Sequence, residues 1–421
     1  MSNKFLQIWK IKDLRKNIIF VLLMLVIFRL AAHIPIPGVD IEALRSIFDS
    51  DSVLGLVNVL SGGSMKNFSI VMMGIAPYIT SSIIFQLLGM IIPHLEEMQK
   101  EESGRQKINM WTRWLTVPLA ALQGFGMVTL LNRQSHILTT TTSFDFVVIM
   151  LTMTAGTVFL MWIGELITEK NIGNGISLLI FAGIVASMPQ AIQGLVINYS
   201  SQDFFQIIAY LGIGILTVLG VVYITEGQRN IPVQYAKQVR GNKTYGGSTS
   251  HLPLRVNMAG VIPIIFAISV VLFPSMVAGF FVNAKTAWIA SFANGTITFF
   301  QNQFYYGLIY FILVFAFTFF YTEIIFHPDT IAENLQKQGG FIPGIRPGRQ
   351  TSEYLANTTH KIILIGALFL GGIAVMPLVI QYFTSFQSMA IGGTSLLILV
   401  SVIIETVKQI ESQLTMREYE M

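Results

Sequence analysis

"GIAPYITSSIIFQLL", residues 74–88, is apolar enough to lie in lipid, yet it contains Pro77 and the polar step Thr80–Ser81–Ser82. A helix whose only task is to span a bilayer needs neither. Proline removes a backbone donor and bends or breaks a helix, so the stretch looks like a helix interrupted for a purpose. A second stretch has the same form, "GVIPII" at 260–265 beside "GIAPYI" at 74–79. Matched, proline-interrupted helices in the two halves of a membrane chain point to a central pathway between inverted repeats. The competing reading is coincidence, because prolines are common in membrane helices.

The rest of the chain has the composition of a membrane protein. It is 53% hydrophobic and 11% charged, where an ordinary soluble domain carries about 25% charged residues. A soluble core stops growing near ~250–300 residues and cannot bury so much apolar surface. A bilayer can, and each crossing of its ~30 Å hydrocarbon takes about 20 mostly apolar residues. Ten such runs are present, near 18–34, 68–92, 115–132, 145–168, 175–197, 204–224, 257–281, 304–326, 359–381 and 392–410. None alternates apolar and polar residues as a barrel strand does. The expected fold is therefore an all-α polytopic membrane protein with ten transmembrane helices. The basic start and apolar run of residues 4–34 resemble a signal peptide. That run exceeds the usual span of about 7–15 residues, and "HIPIPGVD" offers no small-residue cleavage site, so it counts as the first span.

Lys and Arg set the orientation. With both termini in the cytoplasm, 21 of the 26 basic residues fall on inner segments, and only Arg29, Arg45, Lys66, Arg133 and Lys285 fall outside. That asymmetry fits the positive-inside rule and an even number of spans. Two inner links, 226–256 and 327–358, are long, basic and rich in turn residues, and long loops in compact proteins are usually functional. In the outer segment 35–67, "DSVLGLVNVLSGGS" is too short to cross and too apolar for a solvated loop. A re-entrant half-helix fits, since irregular backbone at membrane depth is tolerated where protein buries it.

Several chemistries are excluded. No Asp, Glu, Lys, Arg or His lies in the middle of a span; Glu165, Glu226, Glu323 and Glu405 stand at cytoplasmic ends, and Asp145 and Arg29 near the outer edge. Coupled transporters keep ionisable groups within the membrane, and a secondary transporter of a small solute, the rival class, needs committed polar groups at the midplane. The six histidines have no partner at ligand spacing and there is no cysteine, so neither metal site nor thiol chemistry is expected. "NIGNGISLL" at 171–179 and "LGIGIL" at 211–216 complete no nucleotide motif and read as a helix-start turn and a packing face. No cofactor and no enzymatic activity are expected. Gln86, Gln123 and Asn257 are equally compatible with helix packing and with a functional seam. Ile75 with Ile79, and Ile176 with Ile180, share helix faces by spacing, which alone marks ordinary packing.

Longer stretches carry a family resemblance. "AAHIPIPGVD" (31–40), "GIAPYITSSIIFQLL" (74–88), "ESGRQKINMWTRWLT" (102–116) and "AGTVFLMWIGELITEKNIGNGISLLIFAGI" (155–184) resemble the SecY family of protein-conducting channels. So do "IPVQYAKQVRGNKTYGGSTSHLPLRVNMAGVIPIIFA" (231–267), "GGFIPGIRPGRQT" (339–351) and "GGTSLLILVSVIIETVKQIESQLTMREYE" (392–420). The resemblance implies two pseudo-symmetric five-helix halves, 1–200 and 201–421, around an hourglass pore. It implies a ring of Ile75, Ile79, Ile176, Ile180, Ile265 and Ile398 at the pore waist. A narrow apolar ring dewets and resists ions while offering a passing chain nothing strong to bind.

By the same resemblance 52–66 is a plug, with Leu54, Leu56, Val57, Val59, Leu60, Ser61, Gly62 and Gly63. Thr80, Gln86, Gln123 and Asn257 are candidates for a lateral gate, where the second and third spans face the seventh and eighth. The resemblance also implies that Lys237, Arg240, Lys243, Arg255, Arg346 and Arg349 lie in loops that dock a SecA-like motor ATPase or the ribosome. The implied setting is a bacterial cytoplasmic membrane, with SecE-like and SecG-like subunits as partners. Signal peptides and unfolded secretory or membrane proteins are the implied substrates.

Overall fold

The computed structural model describes residues 11–37, 39, 58, 61–135, 143–197, 204–235, 237–240, 243–246, 249–282, 286–383 and 393–418. Helices run in the order α1 (Lys12–Ala31), α2 (Ala76–Ile91), α3 (Pro93–Lys100), α4 (Glu102–Ser135), α5 (Ser143–Glu169), α6 (Gly175–Ile197) and α7 (Phe204–Glu226). They continue with α8 (Ile262–Phe281), α9 (Ala287–Gln301), α10 (Gln303–Ile325), α11 (Pro328–Lys337), α12 (Arg349–Phe383) and α13 (Gly393–Glu418). A helix stands at every expected span, but the ten crossings are not reproduced one for one. Among the described residues, Phe144–Glu169, Ile262–Gly279, Gln303–Lys337 and Arg349–Ile380 are long and apolar enough on their own. The pair α2 and α3 passes only when taken together and is bent through 109°, as in a broken span or a re-entrant loop. Elsewhere charge continues into the same helix, as Lys12, Asp13, Arg15 and Lys16 do in α1, or the helix ends lie outside the described residues.

Pro77 does not interrupt a helix; it begins one. The expected helix over 68–92 is helical only from Ala76, and residues 61–75 run through successive turns. Pro77 occupies the first turn of α2 and Pro263 the first turn of α8, where the missing N–H would go unbonded anyway and the fixed φ suits the helix. The residues before them match in conformation. Gly74 and Gly260 have φ of +57° and +65°, a region open to glycine at little cost. The caps Ile75 and Val261 follow at (−101°, 2°) and (−93°, −8°). The faint repeat of "GIAP" and "GVIP" is thus a repeat of backbone geometry, although Asn257, expected at the start of the seventh span, stands before α8.

Several links carry secondary structure that the sequence reading did not specify. The link between the seventh and eighth spans contains α9, which is uncharged and exposes Trp288 and Phe292. The long inner links contain strands. β1 (Gln228–Tyr235) pairs antiparallel with β4 (Thr249–Arg255), and β5 (Gly340–Phe341) adds to its other edge. β2 (Lys237–Arg240) and β3 (Lys243–Gly246) form the hairpin at the tip. Ile231, Val233 and Leu254 from the first link pack with Ile342, Leu355 and Ile362. The two links are therefore one folded unit, because alternation along β1 gives each of its inward residues an apolar partner.

The main apolar cluster spans both halves of the chain. Between the halves, α8 packs on α2 and α4, and α13 packs on α6. Inside a bilayer lipid tails are as apolar as the helices, so packing and interhelical hydrogen bonds hold such contacts.

Candidate functional site

The six isoleucines come together. Ile75, Ile180 and Ile398 are buried in the main cluster, and Ile79, Ile176 and Ile265 pack against it, partly buried. Each stands at the N-cap or within the first two turns of its helix: Ile75 and Ile79 on α2, Ile176 and Ile180 on α6, Ile265 on α8, Ile398 on α13. The start of α6 shows how the sequence places them. Asn174 Oδ1 accepts the N–H groups of Ile176 at 3.0 Å and Ser177 at 3.3 Å, and Thr168 Oγ1 accepts that of Gly175 at 2.9 Å. Asn is a favoured cap because its side chain satisfies donors that have no partner inside the helix. "NIGNGISLL" is the helix-start turn expected of it.

The seam candidates divide. Gln123 Nε2 on α4 donates to Thr80 Oγ1 on α2 at 3.3 Å, and Thr80 in turn donates to the Ala76 carbonyl at 3.0 Å. Gln86 bonds within its own helix, to Ser82 Oγ at 3.2 Å. Asn257 is buried, and neither polar atom of its amide meets a hydrogen-bonding group among the described residues. Asn257→Leu, similar in size, is expected to stabilise this packing by about 1–3 kcal/mol, the desolvation penalty of a buried unsatisfied amide. A raised thermal midpoint of the purified protein checks this, and a lowered one contradicts it.

One contact between α2 and α4 was not foreseen. The Ser81 hydroxyl donates to the Thr112 carbonyl at 2.7 Å, and Thr116 donates to the same oxygen at 2.7 Å. The Thr116 bond stays within α4, so the cross-links from α2 to α4 are Ser81–Thr112 and Gln123–Thr80, each of a kind that contributes about 0.6 kcal/mol in membranes. Ser81 belonged to the polar step already singled out, but helix register hid its partner. Two of the four carboxylates expected at helix ends are tied between helices, Glu165 to Arg113 at 2.5 Å and Glu226 to Lys408 at 2.7 Å.

Of the plug candidates, Leu54, Leu56, Val57, Val59 and Leu60 lie outside the described residues. Ser61, Gly62 and Gly63 form a turn whose Gly62 carbonyl accepts from Arg29 Nη1 at 2.6 Å. Sequence reading had placed Arg29 only at a membrane edge; the signal was a lone charge closing an apolar run. Among the docking candidates, Lys237 and Arg240 lie on β2, Lys243 on β3 and Arg255 on β4. Arg346 is exposed in the link from β5 to α12. Its carbonyl accepts from Thr351 Oγ1 at 2.9 Å, which fixes the backbone and leaves the guanidinium outward. Arg349 Nε pairs with Glu353 at 3.0 Å on a highly exposed face.

The SecY family model matches residues 69–407. A protein translocase subunit SecY of Corynebacterium glutamicum is 44% identical, with 99% of this chain and 98% of the relative covered. A protein of the same description from Halalkalibacterium halodurans is 43% identical, with 98% and 97% covered. A solved structure described as a protein conducting channel superposes with a TM-score of 0.64 at 16% identity, covering 93% of this chain and 91% of that one. Sec61 in a canine ribosome-channel complex from the endoplasmic reticulum superposes at 0.61, also at 16% identity, with 93% and 91% covered. At such identity these two likenesses concern the fold.

Proposed function

The chain belongs to the SecY family, and we propose on that premise that it conducts unfolded secretory polypeptides across a bacterial cytoplasmic membrane and releases transmembrane segments sideways into lipid. The observation that carries this reading is the convergence of six isoleucines, from both halves of the chain, in one apolar cluster. A waist of flexible aliphatic side chains resists ions by dewetting and can close around chains of different girth. The halves 1–200 and 201–421 would part where α8 meets the α2–α4 pair, with Thr80, Gln123 and Asn257 at that seam. Residues 52–66 would close the resting pore.

The driving energy comes from a partner, either a SecA-like motor ATPase or the translating ribosome, seated on the folded unit of β1–β5. Ribosome docking would use phosphate attraction to its basic residues, which is independent of sequence and sensitive to salt. SecE-like and SecG-like subunits complete the assembly, and both termini lie in the cytoplasm. The similarity of the translocase relatives over nearly their whole length supports these assignments.

The chain contains no cysteine, so introduced ones report unambiguously. With Ile79→Cys or Ile180→Cys and a second cysteine in a stalled secretory substrate, a disulfide is expected during motor-driven transport, with none at lipid-facing controls such as Leu216. Active transport without a bond at any ring position would refute the pore axis.

A further inference from the structure

Arg29 closes α1, whose residues 18–28 are all apolar. A charge at such a place is costly and, where it persists, has a specific partner and role. Here the partner is the Gly62 carbonyl at 2.6 Å, shorter than the ~2.9 Å usual for N–H···O and in keeping with a charged donor. Gly62 is the crowded point of the contact. Its φ is +74°, and a β-carbon there would lie 2.9 Å from the α-carbon of Gly183 on α6 and 3.2 Å from the Phe28 ring.

The turn around Gly62 holds its own shape. The Asn58 carbonyl accepts the Gly63 N–H at 2.8 Å and the Ser61 hydroxyl at 2.9 Å, and Asn58 Oδ1 accepts the Lys66 N–H at 2.9 Å. Ser64 closes the knot with a 2.8 Å bond to the Ser61 carbonyl. This preformed turn touches α1 through Arg29, α6 through Gly183 and the approach to α2 through Gly74. Gly183 lies one turn beyond Ile180, and Gly74 immediately precedes Ile75. The turn is therefore seated next to two of the helices that supply the isoleucine waist.

We propose that Arg29 is a positioning residue for the closing segment: its guanidinium latches the turn at Gly62 beside the proposed waist, and the bond to Gly62 breaks when that segment leaves. The proposal rests on the reading of 52–66 as a plug. Loss of a hydrogen bond to a charged group shifts an equilibrium roughly ten- to a hundred-fold, so the unseated population should grow by that factor in Arg29→Met. Arg29→Lys, which keeps a donor and the charge, should restore part of the seating. Gly62→Ala disturbs the same contact from the other side and leaves the arginine intact.

The test is the resting conductance of the complete purified complex in planar bilayers, without substrate, for these variants and for a deletion of residues 54–60. Leak in the deletion, in Arg29→Met and in Gly62→Ala, with less in Arg29→Lys, is the expected result. Export of a preprotein with a defective signal should also rise in Arg29→Met, whereas a merely structural defect lowers export of every substrate. Leak in the deletion but in neither Arg29→Met nor Gly62→Ala would overturn the latch and leave the plug standing. A tight channel in the deletion would overturn the plug, and the latch with it.

Discussion

Replacing Ile75, Ile79, Ile176 and Ile180 together by serine should make the resting channel leak. The four side chains form, with Ile265 and Ile398, one apolar cluster. Serine at these places removes the methyl groups that exclude water and adds hydroxyls that hold it. A barrier lowered by only about 1.4 kcal/mol raises flux roughly tenfold, and four substitutions at the proposed constriction should exceed that. The measurement is single-channel conductance in planar bilayers, alongside a monodispersity check on the purified protein, because large-to-small changes in packed sites cost about 2–5 kcal/mol apiece. Unchanged conductance in a well-folded variant would remove these residues from the waist.

The second large effect is expected at Arg346. Its guanidinium faces outward, while its backbone is pinned to the start of α12 by Thr351. It therefore offers a charge on a rigid mount, which suits a partner more than the fold. Arg346→Glu should leave thermal stability within about 0.5 kcal/mol, as for other surface substitutions. Loss of a buried interfacial charge pair costs about 2–5 kcal/mol, enough to weaken motor coupling by tens- to thousands-fold. Transport into inverted membrane vesicles driven by a SecA-like motor should collapse while ribosome binding persists. Normal motor-driven transport by this variant would assign Arg346 to topology alone.

The helices were legible because ten apolar runs are long compared with their uncertain ends. The broken character of the second and seventh spans was legible too, from Pro77 and Pro263. Their true form was not: a proline reads equally as a kink or as a start, and only the positive φ of Gly74 and Gly260 separates the two. The inner loops were recognised as functional by length and charge, yet the addition of β5 to β1 depends on contacts across about a hundred residues of sequence, beyond the reach of local pattern. α9 escaped because an uncharged, aromatic fifteen-residue stretch fits neither a crossing nor a polar loop. The isoleucines illustrate the sharpest limit. Their spacing is that of any membrane helix, and their meeting is a property of four helices together.

That meeting has an electrical side. Ile75, Ile176, Ile265 and Ile398 each stand at or near the start of a helix, and a helix start carries about half a positive elementary charge from its aligned peptide dipoles. At the proposed waist four such ends would lie close to one another, since these residues share one apolar cluster. The waist would then carry a positive potential built from backbone, strongest when dry, because low dielectric lengthens its reach. A cation, including a hydrated proton, meets that potential in addition to the loss of its water. Any current through a slackened waist should consequently be carried mainly by anions, and reversal potentials in a chloride gradient would read it directly.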